Sequence, residues 1–164
     1  MPPQQPNVPP DEVQAFAFSV GKAVQNYGTI EYLINELIAH LIADSLLTTT
    51  LIQLGVSKRI DFLASLVDRR RDLLARQGWT AGDLFELTKS AFQERNKIAH
   101  NPYVIKESKA DGQAQITLGI HVVRYHKAGT KEEWLEKGQL DALTLASRDL
   151  IVRFNQLLGF CKAL

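Results

Sequence analysis

Apolar side chains recur at helical spacing along most of this chain. Val13, Phe16, Ala17, Val20, Val24 and Tyr27 fall mostly three or four residues apart, the period of a helix with one buried face. Ile30, Leu33, Ile34, Leu37, Ile38 and Leu41 continue that stripe and widen it. Gly28 weakens a helix, and Thr29 behind it is a good N-cap. The pattern predicts helices over 11–26 and 29–46, or one helix kinked between them. Thr48, Thr49 and Thr50 form a β-branched run ill suited to a helix interior. Gly55 marks a break and Ser57 a new N-cap. Ile60, Leu63, Ala64, Val67, Leu73 and Leu74, widened by Phe62 and Leu66, predict a helix over 58–77 ended by Gly78. Thr80 followed by Asp83 resembles a capping box. It opens a helix over 81–100 that buries Leu84, Phe85, Leu87, Ala91, Phe92, Ile98 and Ala99.

At Pro102 the helix must stop, because proline lacks an N–H and disfavours α geometry in the residue before it. The period then changes. Tyr103, Val104 and Ile105 are β-prone, residues 110–112 read as a turn, and Ile116 to Tyr125 are rich in Ile, Val, Thr and Tyr. A small hairpin of 103–107 with 114–126 is predicted, with Gly119 as a bulge. Gly129 and Gly138 bracket a polar connector carrying Trp134. A last helix over 139–161 follows Leu140, Leu143, Leu145, Leu150, Ile151, Phe154, Leu157 and Leu158. These elements describe a mainly all-α protein: an antiparallel helical bundle with a small β-hairpin before the C-terminal helix. Residues 1–10 hold five prolines and little apolar mass, and are expected to be a disordered lead to one domain over 11–164.

Composition removes several classes of function. The chain has 164 residues, enough to bury one core. No apolar run approaches the roughly 18 residues that span a bilayer, and no secretion signal is visible at the N-terminus. A cytoplasmic protein with no membrane association is expected. Cys161 is the single cysteine, so a cysteine-built zinc site is excluded by count. His40 and Glu36 form one polar i,i+4 pair, short of a di-metal set. His121 and His126 differ by an odd number along a strand, so they face opposite ways. Neither metal nor cofactor is expected.

Net charge is only +1, but it is unevenly spread. Residues 56–78 hold six bases (Lys58, Arg59, Arg69, Arg70, Arg71 and Arg76) against three acids. A near-neutral total argues against indiscriminate nucleic-acid binding and leaves room for a local basic surface.

The densest candidate chemistry is Glu94-Arg95-Asn96-Lys97-Ile98-Ala99-His100 at the end of a predicted helix. Asn96 and His100, four apart, share a helix face. Arg95 stands about 140° from His100 on the helical wheel. The set suits a phosphodiester: His moves protons near neutral pH, and Arg matches phosphate bidentately. Nothing in it requires a metal when the nucleophile is the substrate's own 2′-hydroxyl. The competing explanation is structural, with His100 favouring the negative helix end and Arg95 solvated. Arg69, Arg70 and Arg71 are candidate RNA-phosphate contacts, and also a plausible solvated helix face.

Arg95-Asn96-Lys97-Ile98-Ala99-His100 resembles the R-x4-6-H motif of the HEPN superfamily, whose members often carry a polar residue directly after the Arg. Gly28-Thr29-Ile30-Glu31-Tyr32-Leu33 is similar to an early-helix stretch of many bacterial HEPN proteins. The resemblance implies an α-helical bundle that works as a homodimer, with two motifs meeting in one site. It implies a metal-independent endoribonuclease of toxin or phage-defence type, leaving 2′,3′-cyclic phosphate ends. His100 would then be the general acid or base, Arg95 would stabilise the charged phosphorus, and Asn96 would position both. Arg69, Arg70, Arg71, Lys97 and Tyr103 would contact RNA. A separate antitoxin or regulator protein is an expected partner. One departure is plain: a tyrosine often lies two residues after the His in members paired with a nucleotidyltransferase, and here Tyr103 lies three after. The alternative is a non-catalytic HEPN-like module that binds a partner protein, RNA or a nucleotide.

Overall fold

The computed structural model describes residues 10–101, 103–110, 113–126 and 129–163. The lead expected over residues 1–10 and the turn expected over 110–112 lie outside these except at their edges, where Pro10 opens the first helix and Ala110 ends the first strand. The expected class holds: a mainly helical protein with a small antiparallel sheet before the last helix.

Helix α1 (Pro10–Ile42) is continuous for 33 residues. Gly28 does not break it, because the apolar stripe keeps its register on both sides: Ala23, Tyr27, Ile30, Ile34, Leu37 and Ile38 are all buried. Burying that stripe outweighs the cost of one interior glycine, about 1 kcal/mol. Thr29 caps nothing; its hydroxyl donates back to the Gln25 carbonyl at 3.1 Å. The threonine run also turns out helical, inside α2 (Ser45–Ile52). Each hydroxyl donates to the carbonyl four residues earlier: Thr48 to Asp44, Thr49 to Ser45 and Thr50 to Leu46.

The helix expected over 58–77 is two: α3 (Val56–Asp68) and α4 (Arg71–Arg76). The break at Arg70 turns α4 so that Leu74 is buried while Leu73 stays half exposed. Gly78 ends α4 as the sequence indicates, with a left-handed φ of 82°. Its N–H donates to Ala75, and the Trp79 N–H donates to Leu74, the paired bonds of a Schellman stop. Helix α5 (Leu84–His100) begins later than expected, with Asp83 at its N-cap position but no side-chain cap bond. Asp83 accepts instead from Arg153 Nη2 at 2.8 Å, and that hydrogen bond holds its carboxyl below its ordinary pKa.

After α5 come β1 (Tyr103–Ala110), β2 (Gln113–His126) and β3 (Gly129–Glu136), a three-stranded antiparallel sheet in sequence order. The polar connector of the sequence reading is therefore a third strand. Thr130, Glu132 and Glu136 are exposed, while Leu135 reaches the core beside Ile120 and Val122. Gly119 is not a bulge. It pairs in register with Val104 on one side and Glu136 on the other. Its role is space: a Cβ there would lie 2.4 Å from Trp134 Cε2, so the indole can cover the strand only over a glycine.

Helix α6 (Lys137–Lys162) packs along α1. Ser19 donates to Asp141, Asn26 to Ser147, and His40 meets the Cys161 carbonyl at 3.1 Å. Rising numbers on both sides mean that α1 and α6 run parallel. Helix α5 runs against both, with Phe85 beside Phe154 and its far end at the sheet that leads into α6. The bundle is thus not antiparallel throughout. His40 bonds to the end of α6 rather than pairing with Glu36. No helix among the described residues is long and apolar enough to cross a membrane.

Gly119→Ala is expected to cost about 1–3 kcal/mol through overpacking against Trp134, read as a lower urea midpoint. Gly138→Ala, where nothing lies within 4 Å of the added Cβ, is expected to be neutral or stabilising. Equal midpoints for the two variants would contradict a fixed indole over β2.

Candidate functional site

The last turns of α5 sort their side chains by direction. Phe92, Lys97 and Ile98 are buried, Arg95 is half-buried, and Asn96 and His100 are exposed. Phe92 lies against Tyr27 of α1, ring centres 5.6 Å apart. Tyr27 is 1% exposed, and its hydroxyl has no hydrogen-bond partner among the described residues. Its phenol is pushed up to about 12, by burial first and then by the negative charge of Glu94.

Lys97 is where the structure departs most from a solvent-facing RNA contact. It is only 9% exposed. Its ammonium lies 2.7 Å from Glu94 Oε2 and 2.8 Å from Glu133 Oε1. Glu94 is one helical turn back on α5. Glu133 is on β3, on the same side of the strand as Leu135, since alternate residues share a face. Burial opposes the Lys97 charge, but the hydrogen bonds it donates to Glu133 and Glu94 outweigh it and hold the pKa above its ordinary value. Lys97 therefore fastens the motif helix to the sheet. The i,i+3 spacing of Glu94 and Lys97 is visible in the sequence, whereas the nearness of Glu133 is not, because it depends on β3, a stretch whose local pattern reads as a connector.

The structural explanation puts His100 at the negative end of the helix, and it lies in the last turn of α5, exposed. The hydrogen bond that caps this end comes from Asn101, whose Nδ2 donates to the Lys97 carbonyl at 2.8 Å. Asn101 itself is extended, φ −121° and ψ 146°, as the residue before a proline must be. Among the described residues His100 makes no hydrogen bond and no ion pair. Arg95 reaches its neighbour, Nη1 standing 3.4 Å from Asn96 Oδ1. Arg95, Asn96 and His100 thus present their polar groups at the surface of one helix end.

The other candidate contacts are dispersed. Arg69 is exposed and has no ion pair among the described residues. Arg70 donates to the carbonyls of Leu66 and Leu41, tying the α3–α4 turn to the end of α1. Arg71 pairs with Asp68 at the surface. These arginines lie near the start of α5, where Arg69 and Arg71 share a cavity with Phe85. His100 is fifteen residues further along, about 22 Å at ~1.5 Å per residue. One chain does not bring them to the motif. Tyr103 pairs with Ile120 through the β1 backbone; its side chain lies outside the described residues. A buried cation that periodicity did not flag is Arg59, 5% exposed, which bonds to Glu31 and to Asn35 Oδ1 and so ties α3 to α1. Among the described residues no group of three potential ligands is placed to hold a metal.

Comparison with family models, with curated proteins and with solved structures gives no match, so the functional reading rests on the residues themselves.

Lys97→Ala leaves two carboxylates facing one another at a partly buried site. It is expected to cost about 2 kcal/mol, between the values for exposed and buried pairs, measured by urea denaturation. A raised lysine pKa contributes stability that is complete below the unfolded value and is lost as pH rises through the folded one. The difference between wild type and Lys97→Ala is therefore expected to persist at neutral pH and to shrink only above about pH 10.

Proposed function

We propose that this chain is a metal-independent endoribonuclease of the HEPN type that acts as a homodimer. The observation that carries it is the split in α5: Lys97 is consumed by structure, Asn101 does the capping, and Arg95, Asn96 and His100 remain at the surface. Three polar side chains suited to a phosphodiester are left without a structural task that explains all of them.

The chemistry follows from the residue types. A histidine takes the proton of a ribose 2′-hydroxyl. The 2′-oxygen bonds to phosphorus as the bond from phosphorus to the 5′-oxygen breaks, and the leaving oxygen takes up a proton. The products are a 2′,3′-cyclic phosphate and a 5′-hydroxyl. Arg95 supports the extra negative charge at phosphorus, and Asn96 orients its neighbours. Arg95 and His100 diverge by about 140° around the helix, so a complete site is best assembled from two motifs across a twofold axis.

A surface suited to that assembly is present. Phe18 on α1 and Leu145 on α6 are 63% and 69% exposed, at the end of the bundle where α5 meets the sheet. Tyr32 and Val152 are also exposed on the same two helices. Exposed large apolar side chains on two neighbouring helices are what an interaction face would use.

Purified protein is expected to cleave single-stranded RNA in EDTA and to leave cyclic phosphate ends. His100→Ala is expected to lower the rate at least about 100-fold, the ordinary worth of a general acid or base, with an unchanged melting temperature because the side chain is exposed. An inert wild type that still retains RNA on a filter would instead favour the non-catalytic binding module. Leu145→Glu is expected to convert dimer to monomer in light scattering and to abolish cleavage with it. A fully active monomer would sink the shared-site assembly.

A further inference from the structure

A cavity lies at the other end of α5 from the motif. It has a volume of about 720 Å³, inside the range of roughly 300–1,000 Å³ usual for small-molecule sites. Ala64, Val67 and Leu74 supply apolar wall from α3 and α4. Trp79 and Phe85 supply aromatic wall, each nearly buried yet still lining the space. The rim carries Arg69, Arg71 and Asp68.

The cavity is a built feature. The left-handed Gly78 returns the chain onto α4 and lays Trp79 against Leu74 through the Trp79 N–H bond to the Leu74 carbonyl at 3.0 Å. The opposite wall, Thr80 to Gly82, is pinned to α6. Arg153 Nη2 donates to the Ala81 carbonyl at 3.3 Å and to Asp83 at 2.8 Å. Both walls are therefore held by hydrogen bonds that do not depend on a ligand, which lowers the ordering cost of binding.

Charge selects among ligands. Two guanidiniums face one carboxylate at the rim, and Arg69 has no carboxylate partner among the described residues. An unpaired guanidinium beside a flat aromatic wall favours a planar ring that stacks and an anionic group that the forked N–H donors grip.

We propose that this cavity binds a small molecule combining a flat aromatic ring with a phosphate or carboxylate group. The site is separate from the motif and does not depend on the ribonuclease reading, which is tested at His100. The phosphate and carboxylate sources are separated by two probes, adenosine 5′-monophosphate and indole-3-acetate, titrated calorimetrically into the full chain.

At least one probe is expected to bind more tightly than about 1 mM. Adenosine and inorganic phosphate, each lacking half of the recognised chemistry, are expected to bind at least about tenfold more weakly than the phosphate-bearing probe if that is the one taken. Arg69→Ala combined with Arg71→Ala is expected to weaken binding by about tenfold or more; both side chains are exposed, so the variant is expected to keep its melting temperature. Ala64→Phe, which fills the apolar wall without touching a charge, tests the same cavity by size, with circular dichroism to confirm folding. The proposal is overturned if neither probe binds below about 1 mM. It is equally overturned if adenosine binds as well as its monophosphate where that is the probe taken, or if either folded variant binds as wild type does.

Discussion

The main helices of the bundle take their places from the burial of one face of α1. Its stripe from Phe16 to Leu41 is nearly closed to solvent, and no single neighbour covers it. Helices α3, α5 and α6 all pack on it. A 33-residue helix spans about 50 Å at ~1.5 Å per residue, so it sets the length of the domain and gives the shorter elements a common support. Polar pins then fix position along that support. Ser19, Asn26 and His40 hold α6 in parallel register, while Glu31 and Asn35 receive the buried Arg59 of α3. Apolar burial is nondirectional; these bonds give it a direction.

The same division of labour operates at the end of α5. Phe92 and Ile98 supply the burial, and Lys97 supplies the register by reaching Glu94 within the helix and Glu133 across to β3. A motif that lists Arg, Asn, Lys and His in one row is therefore two sets of residues facing different ways. The inward set orients the helix end against the sheet. The outward set is displayed by it.

The cavity at the far end of α5 shows how backbone stops shape a surface. Gly78 reverses the chain, and Arg153 holds the following loop from another helix. The arginine run that looks continuous in the sequence is divided: Arg69 lies at the rim with no ion pair among the described residues, Arg70 is spent on the carbonyls of Leu66 and Leu41, and Arg71 is paired with Asp68. Adjacent residues on a helix point about 100° apart, and the α3–α4 break separates them further.

Much of the fold was legible in the order of residues. Helical spacing located α1, α5 and α6, Gly78 marked the end of α4, and the β-branched stretch after Pro102 announced strands. Local sequence sufficed there because periodicity and stop signals act within a few residues. It misjudged Gly28, the threonine run and the stretch 129–136. At Gly28 and at 129–136 a weak local preference was overridden, by the common stripe of α1 and by pairing to β2; the threonine run stays helical with its hydroxyls bonded inside α2. The candidate site divides the same way. The chain order alone placed Arg95, Asn96 and His100 at a helix end. Which of the neighbouring cations were free depended on Glu133, Asn101 and Leu41, residues whose nearness is created only when sheet, helix end and bundle come together. Spacing along a chain determines what can share a face; only packing decides what that face meets.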